Sequence, residues 1–287
     1  MSADISVIIP YYQGQKYLPD LLTMMERNAE FLRNEAGKET EVLLVNDSPW
    51  ESLVENQILQ EDRGTSFRLR ILTNPENSGI HATRVNGLRA AEGEFIQFLD
   101  QDDRIVDHCL LSQYRAIGDA EFVIGNGYDE EPDGGKHLFY PNAAVQAAAG
   151  NLKCQYYYNN LIRSPGQVLI RRSSIPAYWS EHIMKNNGSD DAFLWILMLC
   201  SGARAAINEE LVYEHVYTGE NTSGNNEAML RSQMEVAEKL KGIASPIGMW
   251  AFCRRAKYYC TGGRAHRLRY PDVGLLRTIG SRVWMKA

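Results

Sequence analysis

Strand-like and helix-like stretches alternate through the first 126 residues, and that alternation constrains the fold more than any single motif does. Short apolar runs lie near 4–10, 41–46, 68–73, 94–100 and 121–126, separated by helical segments near 15–34, 51–62, 79–91 and 106–117. Strands that alternate with helices predict an α/β domain with a mostly parallel central sheet flanked by helices. Gly37, Gly64 and Gly93 each follow a helical segment, where a left-handed cap is expected. No G-x-G-x-x-G follows the first run, so the dinucleotide-binding fingerprint is absent.

The fourth run, Phe95-Ile96-Gln97-Phe98-Leu99, ends in Asp100-Gln101-Asp102-Asp103. Crowded carboxylates repel one another and resist burial unless a positive charge joins them. A divalent cation carrying a diphosphate would do so, since hard Mg²⁺ or Mn²⁺ prefers carboxylate and phosphate oxygens. The competing reading is a solvated acidic turn that caps the next helix. Position favours the ligand, because small molecules gather at the carboxyl ends of strands in open α/β sheets. A second acidic pair, Asp190-Asp191, follows Asn186-Asn187-Gly188-Ser189 and opens an apolar helix. Acids in a first helical turn are common for capping and dipole reasons alone.

Taken together, Ile5-Ser6-Val7-Ile8-Ile9-Pro10-Tyr11-Tyr12, Glu41-Val42-Leu43-Leu44-Val45-Asn46-Asp47-Ser48, Asn77-Ser78-Gly79-Ile80, Arg84-Val85-Asn86-Gly87-Leu88 and the acidic strand end occur in a telling order. They resemble the nucleotide-sugar-binding half of a glycosyltransferase family 2 enzyme with a GT-A fold, and the similarity runs from about residue 4 to 223. The resemblance implies a GT-A domain over 1–223, with a donor half to about 126 and an acceptor half over 127–223. Residues 224–287 then form a helical, basic C-terminal appendage. It implies inverting transfer of a sugar from a nucleotide diphosphate, UDP by default, with Mn²⁺ or Mg²⁺. The acceptor would be a glycan or a polyprenyl-diphosphate-linked sugar of surface polysaccharide synthesis.

Residue by residue, the match places Pro10, Tyr11, Tyr12, Asp47, Arg84, Asp100, Gln101 and Asp102 against the donor. Asp102 and Asp100 would hold the metal, with Asp103 orienting them and His215 a further candidate ligand. Asp191 would be the catalytic base, with Asp190 beside it. The chain departs from the family pattern at Asn46, where an acid is usual, and at Val85, where Asn is usual. Aligning Asn221-Thr222-Ser223 puts Thr218 at the family's His position, three residues after His215. Tyr156-Tyr157-Tyr158-Asn159-Asn160 suits either a sugar-binding surface or a local core. Two other functions remain open: a sugar-nucleotide pyrophosphorylase, though Pro10-Tyr11-Tyr12-Gln13-Gly14-Gln15-Lys16 is not its glycine-rich basic loop, and a nucleotide-sugar-binding protein without catalysis.

Five cysteines without a C-x-x-C pair indicate neither a disulfide framework nor a zinc site, which suits a reducing cytoplasm. The N-terminal apolar run lacks a preceding basic stretch and is expected to be a strand, not a signal peptide. The longest strongly apolar stretch, Ala192 to Cys200, is too short to span a bilayer. The net charge of −6 conceals an asymmetry: residues 251–287 carry +8, leaving −14 for residues 1–250. An acidic catalytic half argues against nucleic acid as a partner. Basic and aromatic residues mixed at the C-terminal end suit an anionic membrane surface, giving a peripheral location, or packing against the acidic domain or a second copy in a homodimer.

Overall fold

The computed structural model describes residues 3–53, 65–131, 134–217, 225–260 and 270–285. Most of the helix expected near 51–62, Gly64, Thr218 and Asn221-Thr222-Ser223 lie outside them. Seven consecutive buried residues make β1 (Ile5–Tyr11) a central strand, and its β-branched side chains fill both faces of the sheet. In chain order follow α1 (Leu18–Ala36), β2 (Thr40–Asn46), β3 (Phe67–Thr73), α2 (Ile80–Ala90), β4 (Phe95–Phe98), β5 (Arg104–Ile105), α3 (Cys109–Ile117), β6 (Phe122–Glu130) and β7 (Lys136–Leu138). The second half adds α4 (Ala143–Ala149), α5 (Leu152–Tyr157), β8 (Val168–Arg171), α6 (Ala177–Glu181), α7 (Asp190–Cys200) and β9 (Ala205–Val216). Among the described residues that follow are the helices α8 (Asn226–Lys239), α9 (Pro246–Cys260) and α10 (Pro271–Trp284).

The sheet order is β3-β2-β1-β4-β8-β6-β9-β5, with β7 paired to β6. It is parallel from β3 to β4 and mixed beyond, because β8 runs antiparallel to both β4 and β6. From β1 the chain steps outward to β2 and β3, then crosses to β4 on the other side. The strand order therefore reverses between β1 and β4, and a crevice opens at their carboxyl ends. Both the Tyr11-Tyr12 segment and the Asp100–Asp103 loop leave the sheet there.

One face of the sheet packs on α1 and α3, with Val7, Ile9, Met25, Leu32 and Leu110 in that core. The other packs on α2, α4, α5 and α7, with Ile8, Val85, Phe98, Trp179 and Trp195. Val236 of α8, Leu240 just after it and Phe252 of α9 belong to this second core, so the C-terminal helices extend it. The tyrosine cluster is structural: Tyr156 is buried in the same core, its hydroxyl 3.2 Å from Cys200 Sγ. Tyr158 packs on Trp284 of α10 at 6.0 Å between ring centroids.

Gly37 caps α1 in the left-handed region, at φ 62°. Gly93 is not such a cap, because α2 ends at Ala90 and the next residue is already extended. Its value is closeness: a Cβ there would stand 2.6 Å from the Ser6 backbone nitrogen. Among the described residues no helix is long and apolar enough to cross a membrane. Ile243, Ile247 and Trp250 near and on α9, and Leu275, Ile279 and Val283 on α10, are nevertheless exposed. The α10 residues follow one another at intervals of four and so share one face of the helix.

Candidate active site

Leu99 N–H donates to Ile8 O at 3.0 Å, which starts the acidic loop in register with β1. Gln101 then bonds both ways to the Tyr12 backbone, accepting from its N–H at 3.0 Å and donating to its carbonyl at 2.9 Å. The amide of Gln101, a donor-binding candidate, thus clamps the loop to the end of β1. Asp103 is buried and acts on β9. It accepts from His215 Nδ1 at 2.9 Å, from Val216 N–H at 3.1 Å, and from the Tyr213 hydroxyl. Burial opposes a proton on His215, but the hydrogen bond and the charge of Asp103 together outweigh it and raise the imidazole pKa. Holding Nδ1 this way fixes the ring and leaves Nε2 as its other ligating atom.

Beyond its own backbone, the Asp102 carboxylate makes no hydrogen bond or ion pair among the described residues. Burial first, then Asp103 and Asp100, push its carboxyl up to about 6. Excess negative charge is therefore concentrated on this side chain, at the crevice.

Arg84, near the middle of α2, lies almost wholly inside the protein. One terminal nitrogen donates to Asp190 Oδ2 at 2.7 Å and the other to Asp100 Oδ1. Burial disfavours its charge, but the two carboxylates more than offset that and raise its pKa. The planar fork can hold two carboxylates at once, which a Lys could not do in the same geometry. With both terminal nitrogens engaged, Arg84 joins the two acidic motifs. Asp100 is likewise turned toward Arg84, so only part of its carboxylate remains available to a cation.

Asp190 opens α7 and is buried, its carbonyl accepting from Trp179 Nε1 at 2.9 Å. The loop before it is fixed from two sides. Glu235 of α8 accepts from Lys185 N–H and Asn186 N–H at 2.7 and 2.9 Å. On the other side, Ile80 N–H donates to Asn187 Oδ1 at 3.3 Å. That contact needs Gly79, whose φ is 82° and whose Cβ would lie 2.8 Å from Asn187 Oδ1. Asp191, one residue on, faces a cleft of about 380 Å³ shared with Asn160, Arg163, Ser189, Phe252 and Arg255. Asn160 Nδ2 is 3.4 Å from its Oδ2. Burial and then Asp190 push the Asp191 carboxyl up to about 7, where a carboxylate can take a proton at neutral pH.

Asp47 accepts from Asn74 Nδ2 at 2.7 Å, Ser78 N–H at 2.8 Å and Gly79 N–H at 3.0 Å, so it shapes the loop leading into α2. Asn46 holds its own turn, accepting from Ser48 N–H at 2.8 Å and donating to Glu51 O at 2.9 Å. Asn86 donates to Asn74 at 2.8 Å. Tyr11 is fully buried with its hydroxyl on Glu51, and Pro10 lies inside β1 opposite Val45; neither presents a ring to the crevice. Tyr12 does, at 45% exposure, meeting the 60% exposed Trp50 edge-on at 6.1 Å. Sequence reasoning missed Trp50, whose only signal is its place just beyond the carboxyl end of β2.

Among the described residues no three His, Cys, Asp or Glu side chains converge as a closed metal cage. An unpartnered Asp102 carboxylate with His215 Nε2 nearby still fits a hard cation that brings phosphate oxygens of its own. A cage made only by the protein does not fit.

The sequence profile described as Glycosyl transferase family 2 matches residues 6–179. Glycosyltransferase GlyG of Streptococcus pneumoniae serotype 4 is 28% identical over 144 residues, 49% of this chain and 44% of that protein. The chain thus spans under half the length of that curated relative. The fold is also that of S. aureus TarS 1-349 in complex with UDP-GlcNAc, at a TM-score of 0.62 and 17% identity over 98% of this chain and 82% of that one. The mannosyltransferase PcManGT from Pyrobaculum calidifontis, in complex with GDP-Man and Mn²⁺, gives 0.60 and 12% identity over 98% and 76%. Both likenesses identify a GT-A fold.

Proposed function

The chain belongs to glycosyltransferase family 2, and from that premise we propose that it is an inverting, metal-assisted transferase using a UDP-sugar and an acceptor hydroxyl. The observation that carries this reading is Arg84, which holds the Asp100–Asp103 loop beside the Asp190-Asp191 pair at the switch point of the sheet. Solved relatives in fold carry UDP-GlcNAc or GDP-Man with Mn²⁺, and the donor class is extended to this chain on that basis.

In the proposed reaction the nucleobase rests near Tyr12 and Trp50, and the diphosphate lies toward Asp102. Asp102 and His215 Nε2 would hold the cation, which when bound would neutralise charge on the departing diphosphate. The acceptor oxygen, entering from the cleft, forms a bond to the anomeric carbon while the bond from that carbon to the diphosphate oxygen breaks. The electron pair leaves with the nucleoside diphosphate, and the acceptor proton passes to Asp191. Attack opposite the leaving group inverts the anomeric centre. Asp190 and Arg84 position the base without touching the reacting atoms. The acceptor is proposed to be a glycan or lipid-linked sugar reached at a membrane surface, with the exposed apolar stripe of α10 and the basic residues around it lying on anionic lipid.

Three results are expected. Asp102→Ala should abolish the Mn²⁺-dependent part of UDP affinity in calorimetry while the unfolding midpoint holds; affinity unaffected by chelator in both proteins would remove the cation. Asp191→Asn should lower transfer by roughly 10²–10⁴ with donor affinity little changed. Because the base acts only when deprotonated, wild-type turnover should rise as pH climbs through about 7; full activity of the Asn variant would dismiss Asp191. Lastly, the full chain should float with anionic vesicles at low salt and detach at high salt, whereas indifference to vesicles at every salt level would assign the basic end to packing.

A further inference from the structure

Arg255 takes no part in the chemistry above, yet it lines the cleft that holds Asp191. Its side chain is only 5% exposed. One N–H donates to Gln155 O at 2.7 Å, and the Phe252 ring lies 5.1 Å from the guanidinium carbon. No carboxylate among the described residues pairs with it. The other cation of the cleft, Arg163, is already neutralised by Asp129 at 2.8 Å. Burial pulls the Arg255 pKa down to about 10, which leaves it charged at neutral pH. An unpaired buried charge is costly, and a five-donor fork with one bond to a carbonyl has most of its capacity unused. Ser189, which lines the same cleft, has its Oγ buried without a hydrogen-bond partner among the described residues. A cation and a hydroxyl thus line one cavity of small-ligand size.

We propose that Arg255 binds a phosphate or diphosphate group of the acceptor, which enters the cleft beside Asp191. The word acceptor rests on the transferase reading; the anion site itself does not. A phosphorylated acceptor would complete the ion pair that the fold leaves open, and Ser189 would supply a further hydrogen bond. The charge is carried by α9, so the C-terminal helices would set which acceptor is taken, while the strand ends set the donor. The anion could belong to a lipid-linked diphosphate or to a phosphate within a soluble or polymeric acceptor, and probes with and without a lipid tail separate these sources.

The test uses the full chain with chelator present, so that the cation-dependent donor site is silent. Farnesyl diphosphate, inorganic pyrophosphate and glycerol 3-phosphate are titrated calorimetrically into the wild type and Arg255→Met. At least one probe should bind the wild type and lose about tenfold or more in affinity in the variant. The ligand-free variant should keep or raise its unfolding midpoint, because a buried unpaired charge has gone. Stronger binding of farnesyl diphosphate than of pyrophosphate would identify a lipid-linked source, and equal binding a phosphate alone. In the unaltered chain the bound probe should also slow phenylglyoxal modification of Arg255, read by peptide mass, which decides the matter if the variant does not fold. No binding to the wild type, equal affinity in both proteins, or no protection of Arg255 would overturn the proposal. UDP binding with Mn²⁺, measured on the same protein preparations without chelator, reports on the donor site. Its loss with Arg255-dependent binding intact would count against the transferase and not against this site.

Discussion

The guanidinium of Arg84, gripping Asp100 with one nitrogen and Asp190 with the other, is the contact on which the rest of the site depends. Five carboxylates meet here from two loops far apart in sequence, and burial alone would make them protonate or separate. Arg84 neutralises one carboxylate from each loop and so lets the loops come together. What remains charged is Asp102 on one side and Asp191 on the other, each with a raised pKa. Asp103 is satisfied separately, by Tyr213, His215 and Val216 of β9. A cluster that could have been an electrostatic liability thereby divides into a charged face at the crevice and a proton acceptor in the cleft.

The C-terminal helices belong to this arrangement. Glu235 holds the loop before Asp190, Val236, Leu240 and Phe252 continue the core under α7, and Arg255 reaches the cleft wall. Tyrosines in and just after α5 anchor them: Tyr156 lies in the shared core and Tyr158 against Trp284. Strand ends supply the groups of the crevice, while helices supply the base and the far wall of the cleft. Family membership fixes the first of these more firmly than the second, since the matched segment stops at residue 179.

Much of the fold was legible because it rests on local periodicity: apolar runs of strand length separated by helical ones led to β1, β2, β3, β4 and β6 close to their observed bounds. The acidic pairs and Arg84 could be singled out from sequence because each sits at an element end or on a helix in a compact motif. What sequence did not disclose was how polar groups are divided between ligand and protein. Tyr11, Gln101, Asp47 and Asn46 all stand at strand ends, yet each is engaged by neighbouring chain. Their directions depend on loops that meet only in three dimensions. Trp50 and Arg255 eluded the reading for the converse reason: nothing local marks them, and only the fold brings Trp50 to Tyr12 and Arg255 to the cleft. Gly93 was misread because a glycine after a helix suggests a cap, whereas its close approach to Ser6 depends on the pairing of β1 with β4.

The most direct test of the Arg84 bridge is the difference in unfolding free energy between wild type and Arg84→Met, measured in denaturant across pH. Removing the guanidinium leaves the buried Asp190 and the partly buried Asp100 without their counter-ion, which should cost roughly 3–5 kcal/mol near pH 8. In the variant those carboxylates hold protons more tightly folded than unfolded, so folding is relatively favoured as pH falls. The gap should therefore narrow steadily toward about pH 5 as they protonate. A gap below about 1 kcal/mol, or one that stays constant with pH, would match an ordinary surface ion pair and contradict the account.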